Sequence, residues 1–224
     1  MDNGMRHELK FLISRSAAEL LRLRLPHVMK RDSHTGETGQ YTIRSLYFDD
    51  FCHSAYDEKV SGVSDRMKYR IRYYNYDPSH LKLECKEKHG NLTRKRACTI
   101  SRAQADQLCT VASVENADGL LLELEEKLHR EGLRPKVLVD YDRTPFVCAD
   151  GNTRITLDEN LRTRPFNRDL MASSAAMIPV LDPDQVILEV KFDDFLPGYL
   201  RDALADIPKT TMAISKFALC MQFI

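Results

Sequence analysis

The residues with the clearest potential for chemistry are basic side chains that alternate with apolar ones. Lys68, Arg70 and Arg72 occupy every second position of one short segment, and the residues between them are aromatic or aliphatic. Successive side chains of a β-strand point to opposite faces, so a strand here would carry its three cations on one side. The spacing therefore predicts a strand with one cationic face and one apolar face.

The same alternation recurs in three other segments. The side chains predicted to share a polar face are Lys82, Glu84, Lys86 and Lys88 in the first, Arg154, Thr156 and Asp158 in the second, and Glu189 and Lys191 in the third. Neighbouring strands of this kind would bring like charges opposite one another, which is destabilising unless an anion lies between them. The competing interpretation is a sheet whose polar face is simply solvated.

An oligophosphate is the anion that suits such a surface. Arginine offers paired, planar donors to phosphate oxygens and lysine a mobile point charge, so several together can hold successive phosphates of one chain. A carboxylate among them, such as Glu84 or Glu189, would bond a neighbouring cation or hold a divalent metal, and oxygen ligands favour magnesium or manganese over zinc. The sequence shows no convincing Ser/His/Asp or Cys/His set, so a covalent nucleophile is not expected.

The elements that must position these side chains follow from the hydrophobic periodicity. Period-two segments predict strands at residues 6–13, 41–49, 66–76, 81–88, 92–100, 137–143, 152–158 and 185–192. Capping patterns and helical spacing predict helices at residues 16–25, from Ser101 onward, and at 117–130, 199–207 and 212–223. Turn formers and prolines predict loops at residues 32–40 and 162–183. We expect an α+β fold in which antiparallel strands turn their charged faces into a barrel or trough, beneath covering helices.

Composition restricts the classes of function. A length of 224 residues favours a single domain spanning residues 1–224. Because 33 basic residues balance 33 acidic ones, no global field would recruit nucleic acid, and a polyanion site has to be local. No apolar run approaches the roughly 18 residues of a transmembrane segment, and the first residues lack the regions of a signal peptide. The cysteine spacing suits reduced thiols, so a cytoplasmic protein is expected.

A set of short strings, in order along nearly the whole chain, resembles the VTC-domain family, the polyphosphate polymerase branch of the triphosphate tunnel metalloenzymes. The strings are RHELK at 6–10, YTIRSLYFD at 41–49, KYRIR at 68–72, LECK at 83–86, DYDR at 140–143, RIT at 154–156, ILEVK at 187–191 and SKF at 215–217. Each string is weak by itself. Their shared order makes the resemblance specific.

The resemblance implies an antiparallel eight-stranded β-barrel tunnel with a basic interior, flanked by helices. The triphosphate of ATP would bind there beside Mn2+ or Mg2+, and its terminal phosphate would pass to a growing polyphosphate chain. The implied catalytic residues are Arg70, Arg72 and Lys216. The implied phosphate ligands are Lys10, Arg44, Lys86, Lys95, Arg143, Arg154 and Lys191, and the implied metal ligands are Glu8 and Glu189.

Three activities fit this scaffold. The first is an ATP-dependent polyphosphate polymerase. The second is a tunnel-type triphosphatase, acting on inorganic triphosphate, or a nucleotidyl cyclase. The third is a non-catalytic module that binds polyphosphate and regulates a partner, and whether that partner is a membrane protein stays open.

Overall fold

The computed structural model describes residues 7–90, 92–110, 113–171, 177–211 and 215–224, which form a mainly antiparallel α+β structure. The strands are β1 (His7–Ser14), β2 (Lys30–Arg31), β3 (Tyr41–Asp49), β4 (Arg66–Tyr74), β5 (Asp77–His89), β6 (Leu92–Ile100), β7 (Arg134–Cys148), β8 (Thr153–Pro165), β9 (Ile178–Pro179), β10 (Gln185–Phe192) and β11 (Thr210–Thr211). The helices are α1 (Arg15–Arg24), α2 (Ser54–Val60), α3 (Arg102–Thr110), α4 (Gly119–Arg130), α5 (Gly198–Ala205) and α6 (Lys216–Met221). Among the described residues, no helix is both long and apolar enough to span a bilayer.

The chain divides into two compact units. The first unit contains Met1–Thr42, Tyr141–Leu161 and Pro179–Ser215, and the second contains Ile43–Asp140, Arg162–Ile178 and Lys216–Ile224. Each unit has its own apolar core. The single domain expected from the length of the chain stays a prediction.

In the first unit, the strands follow the order β11, β1, β10, β8 and that unit's part of β7. The apolar side chains of β8 and β10, among them Ile155, Leu157 and Leu188, belong to one core with Ala18 and Leu21 of α1. All five are buried, so α1 covers the apolar face of these strands. The residues between them in β8 and β10 must point to the opposite face, as the alternation predicts.

In the second unit, the order is that unit's part of β7, then β3, β4, β5 and β6. Tyr69, Ile71 and Leu83 pack in a core that also contains Leu124 and Leu128 of α4. Residues of α3 join the same core, so two helices cover the apolar face of β4 and β5. The second unit therefore also turns its charged strand face away from α3 and α4.

Two helices of the second unit, α2 and α3, begin at backbone amides that donate to side chains. The capping box predicted at Ser101 is confirmed, because its hydroxyl accepts the N–H of Gln104 at 3.1 Å and the Gln104 side chain accepts the N–H of Ser101 at 2.9 Å. Helix α2 was not predicted. Its first amides donate to Asp49 and Asp50 at the end of β3, including a 2.9 Å bond from Ser54 to Asp50. A cap supplied several residues upstream gives no local sequence pattern.

The prediction of an eight-stranded barrel is wrong in two respects. The part of the chain that the structure describes contains eleven strands, because β2, β9 and β11 contain two residues each and are too short for a period-two pattern. Within the described residues, the path of paired strands ends at β6 and β11, and the sheet is not closed into a barrel. The loop predicted at residues 162–183 is partly wrong as well, since β8 continues to Pro165.

Candidate functional site

The predicted site residues lie in both units, and the two groups are described separately. The second unit contains Arg44, Arg70, Arg72, Lys86, Lys95 and Lys216. The first unit contains Glu8, Lys10, Arg143, Arg154, Glu189 and Lys191.

The basic cluster of the second unit consists of Lys68, Arg70, Arg72, Glu84, Lys86 and Lys95. Lys68 of β4 lies directly opposite Lys86 of β5, and Lys86 lies directly opposite Lys95 of β6. Directly opposed residues share one face of a sheet, so these three lysines form a row across three strands. Like charges that are directly opposite each other on a sheet are destabilising. The predicted juxtaposition of like charges is confirmed.

Glu84 is the carboxylate of the basic cluster and is 3% exposed. Its oxygens accept hydrogen bonds from Arg70 Nε at 2.7 Å and from Lys95 Nζ at 2.6 Å, and Arg72 lies 3.8 Å away. Burial alone would raise the pKa of Glu84, but the surrounding cations hold that pKa down at about 2. Glu84 therefore stays ionised and fixes the positions of the cations around it.

Aromatic side chains border the basic cluster. Arg70 Nη1 donates to the hydroxyl of Tyr47 at 2.8 Å, and the ring of Tyr47 packs on the ring of Phe217 with centroids 4.9 Å apart. The ammonium of Lys68 lies 4.6 Å from the centre of the Phe217 ring. Lys216, the first residue of α6, directly precedes this phenylalanine. Helix α6 therefore places the predicted catalytic residue Lys216 next to Phe217, whose ring contacts the basic cluster.

Arg44 is much more deeply buried than Lys86 and Lys95, the other predicted phosphate ligands of the second unit. It is 1% exposed, and its guanidinium donates to both oxygens of Asp140 at 2.8 and 2.7 Å. The sequence contained a signal for this burial, because Arg44 has the same strand parity as Leu46 and Phe48, which lie in the core. The phosphate contact stays a prediction, and the geometry suits a structural ion pair.

The mixed cluster of the first unit consists of Glu8, Lys10, Arg143, Asp158, Glu189 and Lys191. Lys10 lies directly opposite Glu189, and Glu8 directly opposite Lys191. Lys10 Nζ is 3.2 Å from Glu8 and 3.6 Å from Glu189, while Lys191 Nζ is 3.4 Å from each of the same two carboxylates. Acidic and basic side chains therefore alternate around a closed ring of ion pairs.

Arg143 completes the mixed cluster from β7. Its guanidinium donates to both oxygens of Asp158 at 2.6 and 2.7 Å, and to Glu189 at 3.3 Å. Burial would lower the pKa of Arg143, but Asp158 and Glu189 raise it well above the usual value. Asp158 was not predicted as a site residue. Its position on the same strand face as Thr156 was the available signal.

Within the described part of the chain, two buried polar atoms on the first unit's portion of β8 have no hydrogen-bond partner. Arg154 Nη2 donates to Asp32 at 2.9 Å and to the hydroxyl of Tyr41 at 3.0 Å, but its Nε has no hydrogen-bond partner among the described residues. The same holds for the hydroxyl of Thr156, which lies on β8 directly opposite Glu189. Buried polar atoms are almost always hydrogen-bonded, so this part of β8 suits an additional polar group.

The carboxylates of the mixed cluster can be tested as metal ligands. Among the described residues, no three His, Cys, Asp or Glu side chains gather in a metal-binding group. Magnesium commonly uses one or two carboxylates and completes its octahedral shell with water and substrate phosphate oxygens. Glu8 and Glu189, beside the unpartnered hydroxyl of Thr156, fit a divalent ion of that kind when a phosphate contributes further ligands.

One protein-family model matches nearly the whole chain. The protein-family model of the VTC domain matches residues 5–224. No curated protein matches the chain.

Solved structures also match this chain. A proposed adenylate cyclase from Bacillus halodurans has a TM-score of 0.52 and 15% identity, with 82% of this chain and 78% of that chain covered. A protein from Pyrococcus horikoshii has a TM-score of 0.44 and 12% identity, with coverages of 90% and 87%. A conserved hypothetical protein from Pyrococcus furiosus has a TM-score of 0.41 and 9% identity, with coverages of 89% and 87%. The likeness to the Bacillus halodurans protein concerns the fold.

Proposed function

This chain belongs to the VTC domain family, and on that premise we propose that it is a metal-dependent polyphosphate polymerase. It would transfer the terminal phosphate of ATP to a growing polyphosphate chain. The observation that carries the proposal is the basic cluster, in which five cationic side chains and one carboxylate share a strand face. Such an excess of positive charge is stabilised by an anion with several phosphates.

The basic cluster supplies the donors for successive phosphates. Arg70 and Arg72 can each present paired N–H groups to phosphate oxygens, whereas the lysines offer mobile point charges. Glu84 holds Arg70 and Lys95 by hydrogen bonds, so the donors are oriented before the substrate arrives. We assign the contact with the transferred phosphate to Arg70, Arg72 and Lys216, and contacts with further phosphates to Lys86 and Lys95.

The mixed cluster suits the metal and its phosphate ligands. Glu189 and Glu8 would hold Mn2+ or Mg2+, which neutralises charge on the phosphate oxygens when bound. Arg143 and Arg154 would donate to phosphate oxygens, with Lys10 and Lys191 as flanking cations. Each of these side chains already lies on β1, β7, β8 or β10, and so is held by strand pairing.

The chemistry needs no covalent nucleophile from the protein. Phosphoryl transfer depends mainly on alignment of the attacking and leaving oxygens and on stabilisation of the charge that develops between them. An end phosphate of the polyphosphate chain is itself a nucleophile and is ionised at neutral pH. Fixed cations of the kind found in the basic cluster can both align the phosphates and stabilise the developing charge.

The test is incubation of the purified protein with ATP and Mn2+ or Mg2+. We expect polyphosphate on a gel and one ADP for each phosphate transferred, with strongly reduced product for Arg70→Ala. Arg130→Ala, on the exposed side of α4, is the matched control and should retain activity. Absence of long-chain product with every divalent metal would contradict the polymerase.

A second candidate is a triphosphatase or nucleotidyl cyclase on the same scaffold. The observation that favours it is the structural similarity to the proposed adenylate cyclase from Bacillus halodurans. Release of orthophosphate from inorganic triphosphate without polymer would identify a triphosphatase, and cyclic AMP a cyclase. Tight binding of polyphosphate without turnover would identify a non-catalytic binding module.

A further inference from the structure

We propose that Lys68 binds phosphate together with Lys86 and Lys95, and that the basic cluster takes up a proton at Lys68 when it does so. The inference rests on the proposed function, since it adds a ligand and a linked protonation to the same phosphate site. The resemblance that identified the other site residues did not identify Lys68. The register of the strands does.

The first step is the position of Lys68 in the lysine row. It stands directly opposite Lys86, which in turn stands directly opposite Lys95. Lys95 bonds Glu84 at 2.6 Å, whereas Lys68 forms no ion pair with any described residue. Its ammonium instead faces the ring of Phe217. An aromatic ring attracts a cation more weakly than a carboxylate does, so Lys68 lacks full compensation for its charge.

The second step is the set of charges that face Lys68 from the surrounding elements. The cations are Lys59 of α2, Arg66 of β4 and Lys86 of β5. The facing acid is Asp49 of β3, whose oxygens already accept N–H groups at the start of α2. Helix amides share that negative charge, so the balance around Lys68 is positive.

The third step is the effect of this environment on protonation. Burial and the neighbouring cations lower the pKa of Lys68 to about 7. Lys68 is therefore about half protonated at pH 7 in the free protein. A bound phosphate offsets the repulsion and favours the charged form, so binding draws a proton from the solvent. By linkage, affinity for phosphate weakens as the pH rises through 7.

Calorimetry with tripolyphosphate measures this proton directly. Titrations in buffers of different ionisation enthalpy give the number of protons taken up on binding, and Lys68→Arg keeps the charge but does not titrate near neutrality. Proton exchange by the ligand itself is common to both proteins and cancels in the difference. We expect the wild type to take up about half a proton more than Lys68→Arg at pH 7, and nearly none more at pH 5.5. Lys127→Arg changes a lysine of α4 that is paired with Glu131 and lies outside the basic cluster, and it should behave as the wild type.

A second measurement does not depend on binding. NMR titration of the lysine side chains in the free protein should show one lysine with a midpoint near 7, and its signal should be missing in Lys68→Arg. A midpoint near the ordinary lysine value would overturn the inference, as would equal proton uptake by the two proteins. Failure of tripolyphosphate to bind either protein would instead refute the proposed function, on which this inference depends.

Discussion

The mixed cluster pairs three basic side chains with three carboxylates, whereas the basic cluster sets five basic side chains against Glu84. Both clusters arise from the same rule, the alternation of side chains along paired strands. The register decides the difference. In the mixed cluster it places lysine opposite glutamate, and in the basic cluster it places lysine opposite lysine.

This contrast indicates separate roles for the two clusters. The mixed cluster is neutral as it stands, so an ion that enters must replace existing ion pairs. The basic cluster contains more cations than carboxylates, so an anion that binds there relieves repulsion between like charges. We therefore expect a divalent metal to bind at the mixed cluster and phosphate to bind at the basic cluster.

Of the substitutions that test the contrast between the two clusters, Glu84→Gln is expected to have the largest effect. The pKa of Glu84 is about 2 in the folded protein, against an ordinary value of 4.5. Because folding lowers the pKa of Glu84, its ionised carboxylate stabilises the fold at pH values above 4.5. This stabilisation is lost as the pH falls from 4.5 toward 2. We expect Glu84→Gln to lower the free energy of unfolding by roughly 3 kcal/mol at pH 7, and by progressively less between pH 4.5 and pH 2. Urea denaturation at several pH values measures this.

The next effect is on phosphate binding by the basic cluster. Arg70→Ala and Arg72→Ala each lose a charge-assisted contact, which is worth about 1.5 to 3 kcal/mol, or roughly 10- to 150-fold in affinity. Calorimetry with tripolyphosphate measures the change, with Arg130→Ala as the control. Unchanged affinity in both variants would show that this strand face does not bind phosphate.

A smaller and more selective effect is expected for Glu189→Gln in the mixed cluster. The substitution removes a metal ligand but keeps the shape of the side chain. Manganese should strengthen tripolyphosphate binding about tenfold less in this variant than in the wild type, since one carboxylate ligand is lost. Affinity without metal should not fall. Glu126→Gln on α4 is the control, and an intact metal effect in Glu189→Gln would end the assignment.

The smallest effect on stability is expected for Glu8→Gln. This substitution tests whether the stability of the protein depends on each ion pair of the mixed cluster. Glu8 is partly exposed, and its ion pairs with Lys10 and Lys191 are longer than 3 Å. Pairs of this kind contribute about 0.5 kcal/mol or less to stability. Urea denaturation should show little change, and a loss comparable to that of Glu84→Gln would remove the energetic distinction between the clusters.

Strand alternation could be predicted from the sequence because it is a local property. The positions of Lys68, Arg70 and Arg72 opposite to the core face followed from period two, and so did Glu189 and Lys191. Pairing partners are not local. The bond between Arg143 and Asp158 depends on how two long strands meet, and nothing in either segment specifies that register.

Errors in the predicted fold have related physical causes. Strand β7 contains prolines at positions 135 and 145 and was predicted to be much shorter than its 15 residues. The closed barrel followed from the family resemblance, whereas closure depends on hydrogen bonds between edge strands far apart in the chain. Arg44 was assigned by its motif, although its parity already placed it with Leu46 and Phe48.

Glu84 also determines at which step the side chains of Arg70 and Lys95 lose their conformational entropy. A free arginine or lysine side chain samples many rotamers, and fixing it on a ligand costs binding free energy. Arg70 and Lys95 are already restrained by Glu84 in the folded protein. Their ordering therefore accompanies folding rather than capture of the ligand, and the cluster acts as a rigid template whose affinity depends on a residue that need never touch phosphate.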